Sequence, residues 1–186
     1  GTTVAGGLTF NDNNNTNQLS NPQGLYVDGS KNVYVTTNWN HAVQKWAPGA
    51  TQPTIVAGGN WYGSQSNQLA DVQGIYVDNL GTVYVADQNN HRVQKWAPGA
   101  SSGTTVAGGN GSGSAANQLQ NPYGVTLDSE GNVFVADRRN NRVQKFLPGA
   151  TNGITIAGVG ILGNDSDQLN FPFCTAFDAQ GNLYVA

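Results

Sequence analysis

The chain has 186 residues, of which only 10% are charged, and a formal net charge of −3. That length holds one domain with a core, and the weak negative charge argues against a general polyanion binder, which needs clustered Lys and Arg to neutralise phosphates. The single cysteine, Cys174, excludes an internal disulfide and reads as a small apolar filler, and no apolar run reaches membrane-spanning length, so no membrane insertion is expected.

In chain order, a β-type run GTTVAGG (1–7) leads through a polar connection ending in NQL (17–19) to GLYVD (24–28), KNVYVTT (31–37) and VQKWAPGA (43–50). The series then begins again: PTIVAGG (53–59), NQL (67–69), GIYVD (74–78), GTVYVAD (81–87) and a second, identical VQKWAPGA (93–100). A third round runs GTTVAGG (103–109), GVTLD (124–128), GNVFVAD (131–137) and VQKFLPGA (143–150). A fourth runs GITIAGV (153–159), DQL (167–169), CTAFD (174–178) and GNLYVA (181–186). Self-similarity at a fixed period of this size marks a repeat architecture. The units are about 1–50, 51–100, 101–150 and a truncated 151–186, forming a single region over 1–186.

Within a unit, four short runs rich in Val, Ile, Tyr and Thr are bounded by turn residues, and none carries helical spacing. Asp78-Asn79-Leu80-Gly81 reads as a tight turn, in which the Asp side chain bonds its own backbone and Gly takes a positive φ. The expected fold is all-β: a β-propeller of four-stranded antiparallel blades, about four present and the last incomplete. A blade cannot bury both faces alone and must stack on its neighbours. Two readings of the incomplete fourth unit stay open. In one, residues 1–7 close a compact four-bladed ring. In the other, which is the expectation here, the chain is a segment of a longer array or is completed by another chain, because a missing third strand leaves sheet edges exposed.

The stretch NPYGVTLDSEGNVFVADRRNNRVQKF (121–146) strongly resembles the NHL repeat, and the second unit matches it nearly as well. The likeness rests on the P-x-G entry, the D-x-x-G-N turn, the V-[YF]-V-A-D strand and the N-x-R-V-Q-K exit, and it extends over essentially the whole chain. It implies a propeller, in that family usually of six blades. Some relatives of the family are RNA-binding regulators that use a positively charged face. Others are amidating lyases with a His-rich zinc centre, for which this sequence lacks the histidines.

Candidate site residues follow from positions that recur or vary. His41 and His91 share one repeat position, which holds Asn141 in unit three; two histidines do not make a zinc site, which takes three or four ligands, and no metal or cofactor is expected. Asp87 and Arg92 recur as Asp137 and Arg142 and change together to Thr37 and Ala42 in unit one, so they are read as structural pairs. The connections at 8–23, 60–73, 110–123 and 160–173 vary most on a fixed frame, which is how loops come to carry recognition. Trp39, His41, Trp61, Tyr62, His91, Arg138 and Arg139 are the candidate partner-binding residues. Asn14, Asn110 and Asn164 each open an N-x-[S/T] triplet and are candidate glycosylation sites. The expected function is a non-enzymatic extracellular binding or structural module: a repeat scaffold presenting glycosylatable loops to a protein or glycan partner, or to copies of itself in an array or filament. The alternatives are RNA binding through the Arg138, Arg139 face and a metal-dependent propeller lyase or lactonase.

Overall fold

The computed structural model describes residues 3–6 and 18–186. Three four-stranded antiparallel sheets follow one another, each with its strands in sequential order. The first holds β1 (Pro22–Val27), β2 (Val33–Thr37), β3 (Ala42–Trp46) and β4 (Thr54–Gly58). The second holds β5 (Val72–Val77), β6 (Val83–Asp87), β7 (Arg92–Trp96) and β8 (Thr104–Gly108). The third holds β9 (Val125–Leu127), β10 (Val133–Asp137), β11 (Arg142–Phe146) and β12 (Ile154–Ala157). A two-stranded sheet of β13 (Thr175–Phe177) and β14 (Leu183–Val185) follows. These are propeller blades, and the TTVAGG-type run that opens each sequence unit closes the preceding blade. Residues 3–6 are not in a strand, and β13 and β14 pair only with each other among the described residues. Of the run 1–7 that would close a four-bladed ring, residues 1, 2 and 7 lie outside the described set.

The hairpin turns repeat one device. Asp128 Oδ1 accepts from the backbone N–H groups of Glu130 and Asn132, at 3.0 and 2.9 Å, and its Oδ2 accepts from the Asn132 amide at 2.7 Å. Asp28, Asp78 and Asp178 accept the corresponding backbone bond from Asn32, Thr82 and Asn182. Tyr34 adds its hydroxyl to the Asp28 carboxylate, and burial together with that bond pushes its phenol up to about 12.

Partial burial pulls the Asp128 carboxyl upward, but the Asn132 bonds, the Glu130 N–H and the Lys145 charge outweigh it, and the carboxyl sits below its ordinary value. A depressed carboxyl stabilises the fold above the unfolded value, about 3.9 for Asp, and that contribution is lost as pH falls through the folded value. Asp128→Asn should therefore lower the thermal midpoint at neutral pH, with the gap to the parent narrowing as pH drops below about 4. A gap constant with pH would contradict the assignment.

Cores form between blades. Tyr34, Val43 and Ala57 of blade one pack with Leu69, Val72, Ile75, Val85 and Trp96 of blade two, and an equivalent cluster joins blades two and three around Leu119, Val135 and Phe146. The first strands approach more closely than side chains allow. A Cβ added at Gly24 would lie 2.5 Å from the Gln73 carbonyl oxygen, at Gly74 2.5 Å from that of Tyr123, and at Gly124 2.7 Å from Cys174 Cα. The Gly74 N–H donates to the Tyr123 carbonyl at 2.8 Å, so backbone meets backbone across the blade boundary. Cys174 takes the same position in the fourth unit. It is exposed, not the buried filler expected from sequence, because the edge that its counterparts turn to the next blade faces no blade among the described residues.

Candidate partner-binding face

Strand direction gathers the variable segments on one face. The start of β1 pairs with the end of β2 (Pro22 with Thr37), and β5 with β6 likewise (Val72 with Asp87). The β2–β3, β6–β7 and β10–β11 loops and the connections between blades therefore leave from the same edge. Trp39, His41, Trp61, Tyr62, His91, Arg138 and Arg139 all lie on those loops; the aspartate turns lie on the opposite edge.

The structural pairs hold this face together. Arg92 Nε donates to Asp87 Oδ2 at 2.7 Å, and Arg142 Nε to Asp137 Oδ2 at 2.8 Å. Asp87 also accepts from the Ala70 N–H and the Asn90 amide, while Arg92 donates to the carbonyls of Gln65 and Gln68. Asp137 and Arg142 repeat this with Gln120, Asn140, Ser114, Ala115 and Gln118. Each pair clamps the incoming connection to the blade it enters. Burial pushes both carboxyls upward, against the bonds and the guanidinium that favour their charge. In unit one the Thr37 hydroxyl instead donates to the Ala42 carbonyl at 3.2 Å, so neither charge is left alone.

The connections are also tied internally. The Asn60 amide donates to the carbonyls of Gly58 and Asn67, and Gln68 returns a bond to Asn60; Asn110 and Gln118 do the same one unit later. This accounts for the recurring Gln68 and Gln118, a role not assigned from sequence. Among the candidate glycosylation sites, Asn110 is exposed but uses its amide in this tie, Asn164 is exposed, and Asn14 lies outside the described residues.

His41, His91 and Asn141 occupy left-handed backbone, with φ of 48°, 54° and 50°, a region that Asn and His tolerate better than most residues. His91 Nδ1 accepts from the Asn121 N–H at 3.2 Å, and Asn141 Oδ1 from the Phe171 N–H at 3.1 Å. The position is thus a bond to the next blade, which is why His and Asn interchange there. His91→Asn should leave stability within about 0.5 kcal/mol, whereas His91→Ala should cost about 2 kcal/mol through the lost bond and the backbone strain, read from chemical denaturation. Equal effects of the two would contradict this role. Among the described residues no group of three or more His, Cys, Asp and Glu side chains converges as a metal site.

Unit one differs. His41 Nδ1 is buried without a partner, and the ring meets Tyr62 edge-on at 5.1 Å. Burial lowers the His41 pKa, against smaller upward pulls from Asp71 and Asp87. Trp39, Asn40, His41, Ile55, Trp61 and Tyr62 line a pocket of about 310 Å³. Its aromatics are solvent-facing: Trp39 is 63%, Trp61 78% and Tyr62 57% exposed. Trp61 holds φ at 64°, where the connection one unit later has Gly111 at 78°; an L-residue there costs roughly 1–2 kcal/mol.

A second concavity, about 420 Å³, lies where the first strands meet, lined by Gln23, Gly74, Tyr123, Phe173 and Cys174 among others. Beside it the Arg138 guanidinium stands over the rings of Tyr123, Phe171 and Phe173, 5.2–5.9 Å from their centroids. Arg142 is buried in its ion pair, and Lys145 lies 3.8 Å from Asp128 and over Phe134. Of this basic group Arg139 alone is exposed, so the cations behind the RNA-binding alternative do not form an open charged surface.

Comparison with known proteins agrees with this geometry. The NHL repeat model matches residues 69–96 and 119–146. No curated protein matches the sequence. Among solved structures, a protein of unknown function from Bacteroides thetaiotaomicron VPI-5482 is similar with a TM-score of 0.71 at 18% identity, over 91% of this chain and 46% of that one. A nidogen/laminin complex gives 0.64 at 21% identity, over 88% and 55%. Virginiamycin B lyase from Staphylococcus aureus gives 0.60 at 14% identity, over 92% and 50%. The chain thus spans about half the length of each of these structures. At such identities the likeness is one of fold, and it includes a lyase beside a propeller in complex with laminin. Two units of the chain thus match the NHL repeat model, and the blades around them are built to the same plan, a β-propeller architecture.

Proposed function

We propose that the chain is a non-enzymatic binding module working outside the cell, in which stacked blades hold variable connections on one face to engage a partner. The observation that carries this reading is the pocket of blade one, where two loops distant in sequence bring Trp39, His41, Trp61 and Tyr62 together. Exposed aromatics in a concavity contribute nothing to the core and are the usual anchors of recognition. The three N-x-[S/T] triplets and the sparse surface charge support an extracellular setting, where a sugar coat adds solubility.

The test is a printed array of glycans, extracellular proteins and peptides probed with the chain and with its Trp61→Gly variant. Retention of an array member by the parent and not by the variant is the expected result. No retention by either sinks the binding reading, and chemical conversion of a retained member would place the chain among enzymes.

A further inference from the structure

We infer that the blade-one pocket binds a neutral carbohydrate, with the apolar face of a sugar ring laid on the Trp61 indole and Trp39 and Tyr62 beside it; this rests on the binding-module reading above.

The first ground is Trp61 itself. It occupies left-handed backbone that the connection one unit later gives to Gly111, and most of its indole is in water. Both features work against folding. Strain of this kind is kept where the surrounding structure over-determines it, and it gathers at ligand sites. Nothing in the blade needs the indole, since Gly111 serves the same turn in a connection tied in the same way.

The second ground is the composition of the walls. Two indoles and a phenol surround a space of about 310 Å³, at the small end of the range for small-molecule sites. Among the described residues no Asp, Glu, Lys or Arg lines it, and burial of His41 favours the uncharged ring. A nucleotide or an anionic polymer would therefore find stacking but no cation for its charge. The polar groups at the rim are neutral donors and acceptors. Asn40 lines the pocket, and the Tyr62 hydroxyl accepts weakly from Asn89 at 3.5 Å. A pyranose has this chemistry in complement: a C–H face that packs on the negative face of an aromatic ring, and an edge of hydroxyls that both donate and accept. A proline-rich peptide also docks on aromatic rings, but it needs a groove extended along the peptide. This space is bounded by the β2–β3 loop on one side and the 59–62 segment on the other.

Trp61→Gly separates the site from the fold, because it installs the residue already used one unit later, at Gly111. Native electrophoresis of parent and variant through gels containing soluble β-glucan, xylan or galactomannan, with polygalacturonate as an acidic comparator, reads binding directly. The parent should be retarded by at least one neutral polysaccharide, with apparent affinity falling roughly tenfold or more in Trp61→Gly while the thermal midpoint stays level or rises. Tyr62→Ala should weaken retardation too. Absence of retardation by every neutral polysaccharide, or equal retardation of parent and Trp61→Gly, overturns the inference. Poly-L-proline is titrated in parallel against the intrinsic fluorescence. A response in the parent that Trp61→Gly loses would overturn the carbohydrate assignment and leave the binding module standing. Silence towards polysaccharides, poly-L-proline and the array alike would remove both.

Discussion

Gly74→Ala is expected to destabilise the chain by about 3 kcal/mol, the upper part of the range for an added buried methyl, and to lower the thermal midpoint by roughly 6–12 °C. The new Cβ would sit 2.5 Å from the Tyr123 carbonyl oxygen and 3.0 Å from Gly124 Cα. These are backbone atoms of the next blade, held by their own sheet, so they cannot yield as a side-chain tip would. Relief requires the two blades to separate, which weakens the Gly74–Tyr123 bond and loosens the cluster around Leu119, Val135 and Phe146 that joins them. Gly29→Ala is the control: it has open space around it and should change stability by no more than about 0.5 kcal/mol. Equal midpoints for the two variants would show that blades do not stack as closely as described.

The second large effect concerns the clamp. Arg142→Ala leaves the fully buried Asp137 carboxylate without its cation and frees the carbonyls of Ser114, Ala115 and Gln118. Removing one member of a buried pair costs about 3–5 kcal/mol. Unit one shows how the chain does without the pair, with Thr37 and Ala42 at the same positions. The double variant Asp137→Thr with Arg142→Ala should accordingly cost less than the sum of the single changes by about 1–3 kcal/mol, measured as a double-mutant cycle in denaturant. Strict additivity would mean that the side chains act independently.

Much of the frame is legible in the sequence because it is written locally and then copied. Alternating Val and Tyr between Asp and Gly turns gives the hairpins, and the period gives the stack. The Asp87–Arg92 pairing can be read because one copy, Thr37 with Ala42, loses both partners together. What is not legible depends on contacts between copies. Gly24, Gly74 and Gly124 look like ordinary strand glycines, and only the approach of the next blade requires them. The exchange of His91 for Asn141 looks like loop variation until the bond each makes to the following blade is seen. Asn110 reads as a glycan acceptor from its triplet, while its amide spans the connection. Arg138 reads as a free cation, yet it stands over three rings. The convergence of Trp39 with Trp61 needs the strand order, since the two lie on separate loops. The left-handed backbone of Trp61 could have been suspected from Gly111 at the matching position.

The central claim is that recognition is confined to the aromatic pocket of blade one while the frame stays rigid. The chain has four tryptophans, and the structure divides them evenly: Trp39 and Trp61 exposed, Trp46 and Trp96 buried. Their indole N–H signals in a proton–nitrogen correlation spectrum give four independent reporters. On titration with neutral oligosaccharides, the Trp39 and Trp61 signals should shift together and saturate, with those of Trp46 and Trp96 unmoved. Four unchanged signals, or shifts confined to residues around Tyr123 and Phe173 at the axial concavity, would contradict the account.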